Sequence, residues 1–95
     1  MIKFMDTITE KEEKIATEVN SPKVVVVHND DFNTFDHVQD CLVKICKLDR
    51  YTAANKTLEI HHIGKSVVAE GDDSHLKKIK LQLRAQGLSA TIENA

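Results

Sequence analysis

Apolar residues are spread unevenly along this chain. Residues 1 to 21 are rich in Thr, Glu and Lys and place Ile8, Ile15 and Val19 at loosely helical spacing. That is too little apolar surface to offset the entropy of ordering. Thr7 and Glu10 make a capping-box pattern that would suit a transient or partner-induced helix. The texture changes at Pro22, so residues 1–22 are expected to be a flexible N-terminal extension and residues 23–95 one compact domain.

Within the domain the periodicities are legible. Lys23 to His28 is a β-branched run without alternation, which suits a strand flanked on both sides and covered on at least one face. Asn33 and Thr34 offer N-caps to a helix carrying Val38, Cys41, Leu42 and Ile45, expected to run to Lys47. Asp49 can cap a second helix in which Ala54, Thr57, Leu58 and His61 share a face, with Gly64 as its C-cap. Ser66 to Glu70 reads as a short strand. Asp72, Asp73 or Ser74 caps a third helix with Leu76, Ile79 and Leu83, ending at Gly87. Leu88, Ala90 and Ile92 alternate in a last strand. The expected class is α+β: a small β-α-α-β-α-β domain, a three-stranded antiparallel sheet with three helices packed on it.

Charge and composition exclude more than they select. The 15 acidic and 13 basic residues are interspersed, leaving no basic face for a phosphate backbone, so nucleic acid is not an expected partner. No apolar run is long enough for a signal peptide or a membrane span. Cys41 and Cys46, five apart in a helix, are poorly placed for a disulfide and read as packing thiols in a reducing cytoplasm.

The chemistry concentrates in "HNDDFNTFD", residues 28 to 36. A calcium loop fails because its sixth position is Asp36 instead of Gly and its twelfth is Leu42 instead of Glu. His37 with Cys41, or His61 with His62, could begin a metal site, but no third soft ligand has a suitable spacing. There is no nucleophile elbow, and Gly64, Gly71 and Gly87 all stand at the ends of elements, so no phosphate loop exists. Taken alone, Asn29, Asp30 and Asp31 would be ordinary turn and cap residues. His61 by itself would be a core histidine satisfied by a polar neighbour. Together they read differently, because this topology can bring the second helix close to the loop after strand one. Acceptors around an apolar patch describe a receptor for a cation with a greasy neighbour, such as a free protein N-terminus with a large apolar side chain.

"VVVVHNDDFNTFDHV", "LEIHHIGKSVV" and "GLSATIE" resemble the ClpS family of Clp protease adaptors, over residues 23 to 93. The resemblance implies a non-enzymatic adaptor without cofactor or metal. It would bind proteins that begin with Leu, Phe, Tyr or Trp and hand them to a Clp ATPase of ClpA or ClpC type working with ClpP. By the same resemblance Asn29, Asp30 and His61 would hold the α-ammonium, Asp30 directly or through a water, and Asp31 and Asn33 would position the peptide backbone. Thr34, Phe35, Val38, Thr57, Ile60 and Leu88 line the side-chain pocket. A cytoplasmic monomer is implied, with no membrane partner, and an N-terminal extension on which the ATPase draws during transfer. Two departures stand out: Asn33-Thr34-Phe35 replaces a common Thr-Pro-Met run, and Thr57 replaces a common methionine. One makes the pocket smaller and the other larger, so the preference among Leu, Phe, Tyr and Trp stays open. "AEGDDSHLKK" is also shorter than in many members. An alternative resemblance, of residues 72 to 93 to the C-terminal domain of the ribosomal stalk protein, implies an interaction module without degron binding.

Overall fold

A strand of four valines is tolerable only where its neighbours supply cover, and the structure puts it where cover is greatest. Strand β1 (Lys23–His28) is the central strand of three, flanked by β2 (Lys65–Gly71) and β3 (Ser89–Asn94) in the order β2-β1-β3 and antiparallel to both. The structure is a computed structural model that describes residues 22–95. The expected flexible extension, up to residue 21, lies outside the described residues.

Helices α1 (Phe35–Lys44), α2 (Arg50–Ile63) and α3 (Asp73–Ala85) complete the order β-α-α-β-α-β. Side chains alternate across a strand, so Val25 and Val27 share one face and Val24 and Val26 the other. Val25 and Val27 join one buried cluster with Leu42 of α1, Ile60 of α2, and Leu76, Ile79 and Leu83 of α3. The helices therefore pack on that face. In the register against β1, Val25 pairs with Ala69 and Val26 with Val67, so Val68 is the extra residue of a β-bulge. No helix among the described residues is long and apolar enough to cross a membrane.

Each helix begins where a short polar side chain takes up an orphan N–H. Thr34 Oγ1 accepts from His37 N at 3.1 Å, Asp49 Oδ1 from Thr52 N at 2.8 Å, and Asp72 Oδ1 from His75 N at 2.9 Å. Thr34 is thus the cap of α1 and Asn33 is released for other bonds.

Two expectations are corrected. Helix α1 ends at Lys44, three residues before Lys47. Lys47 adopts a left-handed conformation (φ 60°), and Leu48 N returns to Leu42 O at 3.3 Å, so the chain reverses instead of propagating. In α2 the buried face is Ala53, Thr57 and Ile60, not the expected stripe of Ala54, Thr57, Leu58 and His61. Leu58 is 45% exposed and His61 is exposed, because α2 is rotated so that Ala53 and Ile60 enter the core.

Candidate functional site

The loop between β1 and α1 begins at Asn29, and its backbone is anchored to the far end of α2. Gly64 closes α2 with φ 110°, a conformation that favours glycine, and donates its N–H to Ile60 O at 3.0 Å. The Gly64 carbonyl then accepts from Asn29 N at 2.8 Å. One main-chain bond therefore fixes the start of the loop against the last turn of α2, where His61 stands.

Asp30 organises the rest of the loop. Its Oδ1 accepts from Phe32 N and Asn33 N, both at 2.8 Å, and its Oδ2 accepts from Asn33 Nδ2 at 2.7 Å. These bonds favour the ionised form: the Asn33 backbone N–H chiefly, then its side-chain amide and the Phe32 N–H, outweigh partial burial and hold the carboxyl below its ordinary value of 3.8. Asn33 Nδ2 also donates to Gly87 O at 2.9 Å, in the turn between α3 and β3. Both N–H bonds of the Asn33 amide go to protein acceptors, and among the described residues no N–H or O–H group donates to its oxygen. A second tie to the same turn comes from His37, whose Nε2 lies 2.8 Å from the Gln86 carbonyl. Loop, α1, α2 and the α3–β3 turn are in this way linked around one point.

At that point lies a cleft of about 120 Å³ lined by Asn29, Asn33, Thr34, Phe35, Val38, Thr57, Ile60 and His61. Its inner surface is Val38, Thr57 and Ile60, all buried, while Asn29, Thr34, Phe35 and His61 are exposed at its mouth. The arrangement offers acceptors and an amide at the rim over a mostly apolar interior. Eight of the eleven sequence-selected residues meet in it. Three do not line it: the Asp30 carboxylate is taken up by the loop, Asp31 is exposed, and Leu88 is buried in the core cluster.

Sequence reasoning passed over Gly64, His37, Gln86 and Gly87 as supports of this site, and Phe32, which the Asp30 turn holds 90% exposed beside it. The spacing of Gly64 after His61 was visible as a helix stop, but the bond from Gly64 O to Asn29 N is a tertiary fact. The thiols do not line the cleft, although Cys41 Sγ lies 3.7 Å from His37 Nε2. Burial, and then Cys41, push Cys46 up to about 11, and Cys41 is raised by burial and by Asp40. Both stay protonated and weakly nucleophilic at neutral pH. Among the described residues no three His, Cys, Asp or Glu side chains are grouped to hold a metal ion.

A larger hollow of about 670 Å³ lies on the opposite face of the sheet, between Val24, Val26, Val67 and Ile63, rimmed by Lys56, Lys65, Glu59, Glu70 and Glu93. Charges of both signs surround it, and Glu59 is already hydrogen-bonded to Ser66. The smaller cleft, where eight of the residues selected from the sequence meet, is the candidate site.

Comparison with known proteins agrees with this architecture. The model of the family described as ATP-dependent Clp protease adaptor protein ClpS matches residues 17–91. The ClpS adapter protein of Synechocystis sp. is 41% identical over 73 residues, covering 75% of this chain and 74% of that protein. The ClpS of Nostoc sp. is 41% identical over 66 residues, covering 68% of each. The solved structure of Agrobacterium tumefaciens ClpS2 bound to L-phenylalaninamide superposes with a TM-score of 0.75 at 18% identity, over 79% of this chain and 98% of that one, a likeness of fold. The family match takes in most of residues 72 to 93, the stretch with the stalk-like resemblance, and with the cyanobacterial identities it establishes that the chain belongs to the ClpS family of Clp protease adaptors.

Proposed function

We propose that the cleft between α1 and α2 binds the free N-terminus of a polypeptide beginning with a large apolar residue, and that the protein delivers that polypeptide to a Clp ATPase of ClpA or ClpC type working with ClpP. The observation that carries this reading is the pairing of free acceptors at the rim with an apolar interior. The Asn33 oxygen is left over after both its N–H bonds are taken, and Asn29 and His61 stand beside it. An α-ammonium has three donors and no acceptor, so it matches a rim of acceptors, and the side chain next to it would enter between Val38 and Ile60. His61 accepts only as a neutral imidazole. Asp30 contributes negative charge from behind the loop and holds Asn33 in register.

ClpS2 of Agrobacterium tumefaciens was solved with L-phenylalaninamide, which carries a free α-amino group beside a benzyl side chain. That ligand has the chemistry proposed here. The family is one of adaptors rather than catalysts, and substrate capture followed by handover is the work of an adaptor.

The test is titration of a peptide with N-terminal Phe against its N-acetylated twin. Acetylation removes the charge and donors and leaves desolvated acceptors unpaired, a loss on the order of 2–5 kcal/mol. At least tenfold weaker binding of the acetylated peptide is expected. Equal affinities would sink the reading.

A further inference from the structure

Thr57 is the most buried polar side chain that lines the cleft, and the chemistry of its hydroxyl is one-sided. Thr57 is 3% exposed and lines the cleft one helical turn from His61, on the same side of α2. Its Oγ1 donates to the Ala53 carbonyl at 2.7 Å, so the only proton of the hydroxyl points back along the helix. A hydroxyl has two acceptor lone pairs besides. Among the described residues no N–H or O–H group donates to this oxygen, and its companions at the closed end, Val38 and Ile60, have no side-chain donor. The buried side chains of the interior are thus apolar apart from one hydroxyl, whose proton goes to the Ala53 carbonyl.

The cleft has room for one ring at most, since the whole of it, mouth included, is slightly smaller than a cavity that holds benzene. The cleft measures about 120 Å³. A protein cavity of about 150 Å³ takes up benzene. A buried phenol needs a partner for its O–H, and a buried acceptor gains from a donor. We propose that Thr57 sets the preference of this cleft: its hydroxyl oxygen accepts a hydrogen bond from the tip of the bound side chain, selecting N-terminal tyrosine over phenylalanine and leucine. This deepens the function proposed above and rests on it. The phenol O–H gives Thr57 its missing donor, and Thr57 gives the phenol its acceptor. Phenylalanine and leucine fill the same space and leave that acceptor unpaired.

The experiment uses the full chain and peptides identical except for their first residue: Tyr, Phe, O-methyltyrosine, and N-acetylated Tyr and Phe controls. One net hydrogen bond in a buried site corresponds to roughly three- to tenfold in affinity, so Tyr should bind that much more tightly than Phe. O-methyltyrosine, which keeps the oxygen and loses the proton, should fall to the level of Phe or below. Thr57→Val preserves the shape and removes the acceptor, and should bring the Tyr-to-Phe ratio to one or less; Thr57→Ser should retain the preference. If the Val variant does not fold, the Tyr and O-methyltyrosine comparison on the native protein decides alone. A Tyr-to-Phe ratio near one in the native chain, or a preference unchanged by Thr57→Val, overturns the role of Thr57 and leaves the cleft as the N-terminus receptor. Free peptides that bind no better than their acetylated twins overturn both.

Discussion

Asn33 is the side chain on which the geometry of the site most depends, and Asn33→Ala puts a magnitude on that dependence. The substitution removes two bonds: 2.7 Å to the ionised Asp30 Oδ2 and 2.9 Å to the Gly87 carbonyl. A hydrogen bond to a charged group contributes a net 1.5–3 kcal/mol and a neutral one about 0.5–1.5. Asn33 is partly buried and the Gly87 bond is exposed, so the lower ends apply, and the sum is about 2 kcal/mol. In a domain of this size that is a fall in Tm on the order of 10 °C, measurable by calorimetry or by urea titration. Binding should fall too, because the free Asn33 oxygen is lost and the loop is released from the α3–β3 turn. Asn33→Asp sharpens the test. It is nearly isosteric, but it sets a carboxylate against the Asp30 carboxylate in place of a donor, so it should destabilise at neutral pH at least as much as Asn33→Ala. It should also recover part of the loss when the pH is lowered enough to protonate one of the pair. A Tm within about 2 °C of the native protein for both variants would refute the claim that this amide ties the site together.

Other outcomes follow from the same geometry. Gly64→Ala meets no atom within 4 Å but must hold φ 110°, so it should cost about 1–2 kcal/mol in urea unfolding by backbone strain alone. Because Asp30 is held below 3.8 by its N–H partners, its contribution to stability is fully present above that value and is lost as the pH falls through the lower folded-state value. Asp30→Asn should therefore flatten the acid limb of a stability-against-pH curve. His61→Ala should weaken a Phe-peptide at least tenfold, whereas His62→Ala, which is exposed and does not line the cleft, should change it little by isothermal titration. Deleting residues 1–20 should leave peptide affinity nearly unchanged but abolish degradation of an N-degron protein by the cognate Clp ATPase and peptidase. Full delivery by the truncated chain would assign the handover to the domain surface alone.

What the sequence disclosed and what it withheld divide along a physical line. Elements and most caps were legible because their causes are local: four valines make a strand, Asp49 caps α2, Asp72 is one of three candidates offered for α3, Gly64 closes α2, and Gly87 stands just past the end of α3. Eight residues singled out through the family resemblance line one cleft. The phase of α2 was not legible. Tyr51, Leu58 and Ile63 are apolar yet exposed, at 79%, 45% and 73%, so the helix carries two competing apolar stripes and only its packing against α1 and β2 decides between them. The end of α1 was missed because nothing in "KICKL" marks Lys47 for a left-handed turn; the return of Leu48 N to Leu42 O imposes it. The role of Asp30 as the organiser of the loop also depends on three-dimensional bonds. The resemblance implied only that it helps hold the ammonium, directly or through a water; that its carboxylate also accepts from Phe32 and Asn33 is not visible in the sequence.

The central claim is a location as well as an affinity, and amide chemical shifts report both. L-phenylalaninamide titrated into the full-length, nitrogen-15-labelled protein should shift the amides of Asn29, Asn33, Val38, Ile60 and His61 together, with one dissociation constant, while Val24, Val67 and Glu93 on the opposite face stay still. Shifts confined to the outer face of the sheet, or the same pattern produced equally by the N-acetylated amide, would contradict the account.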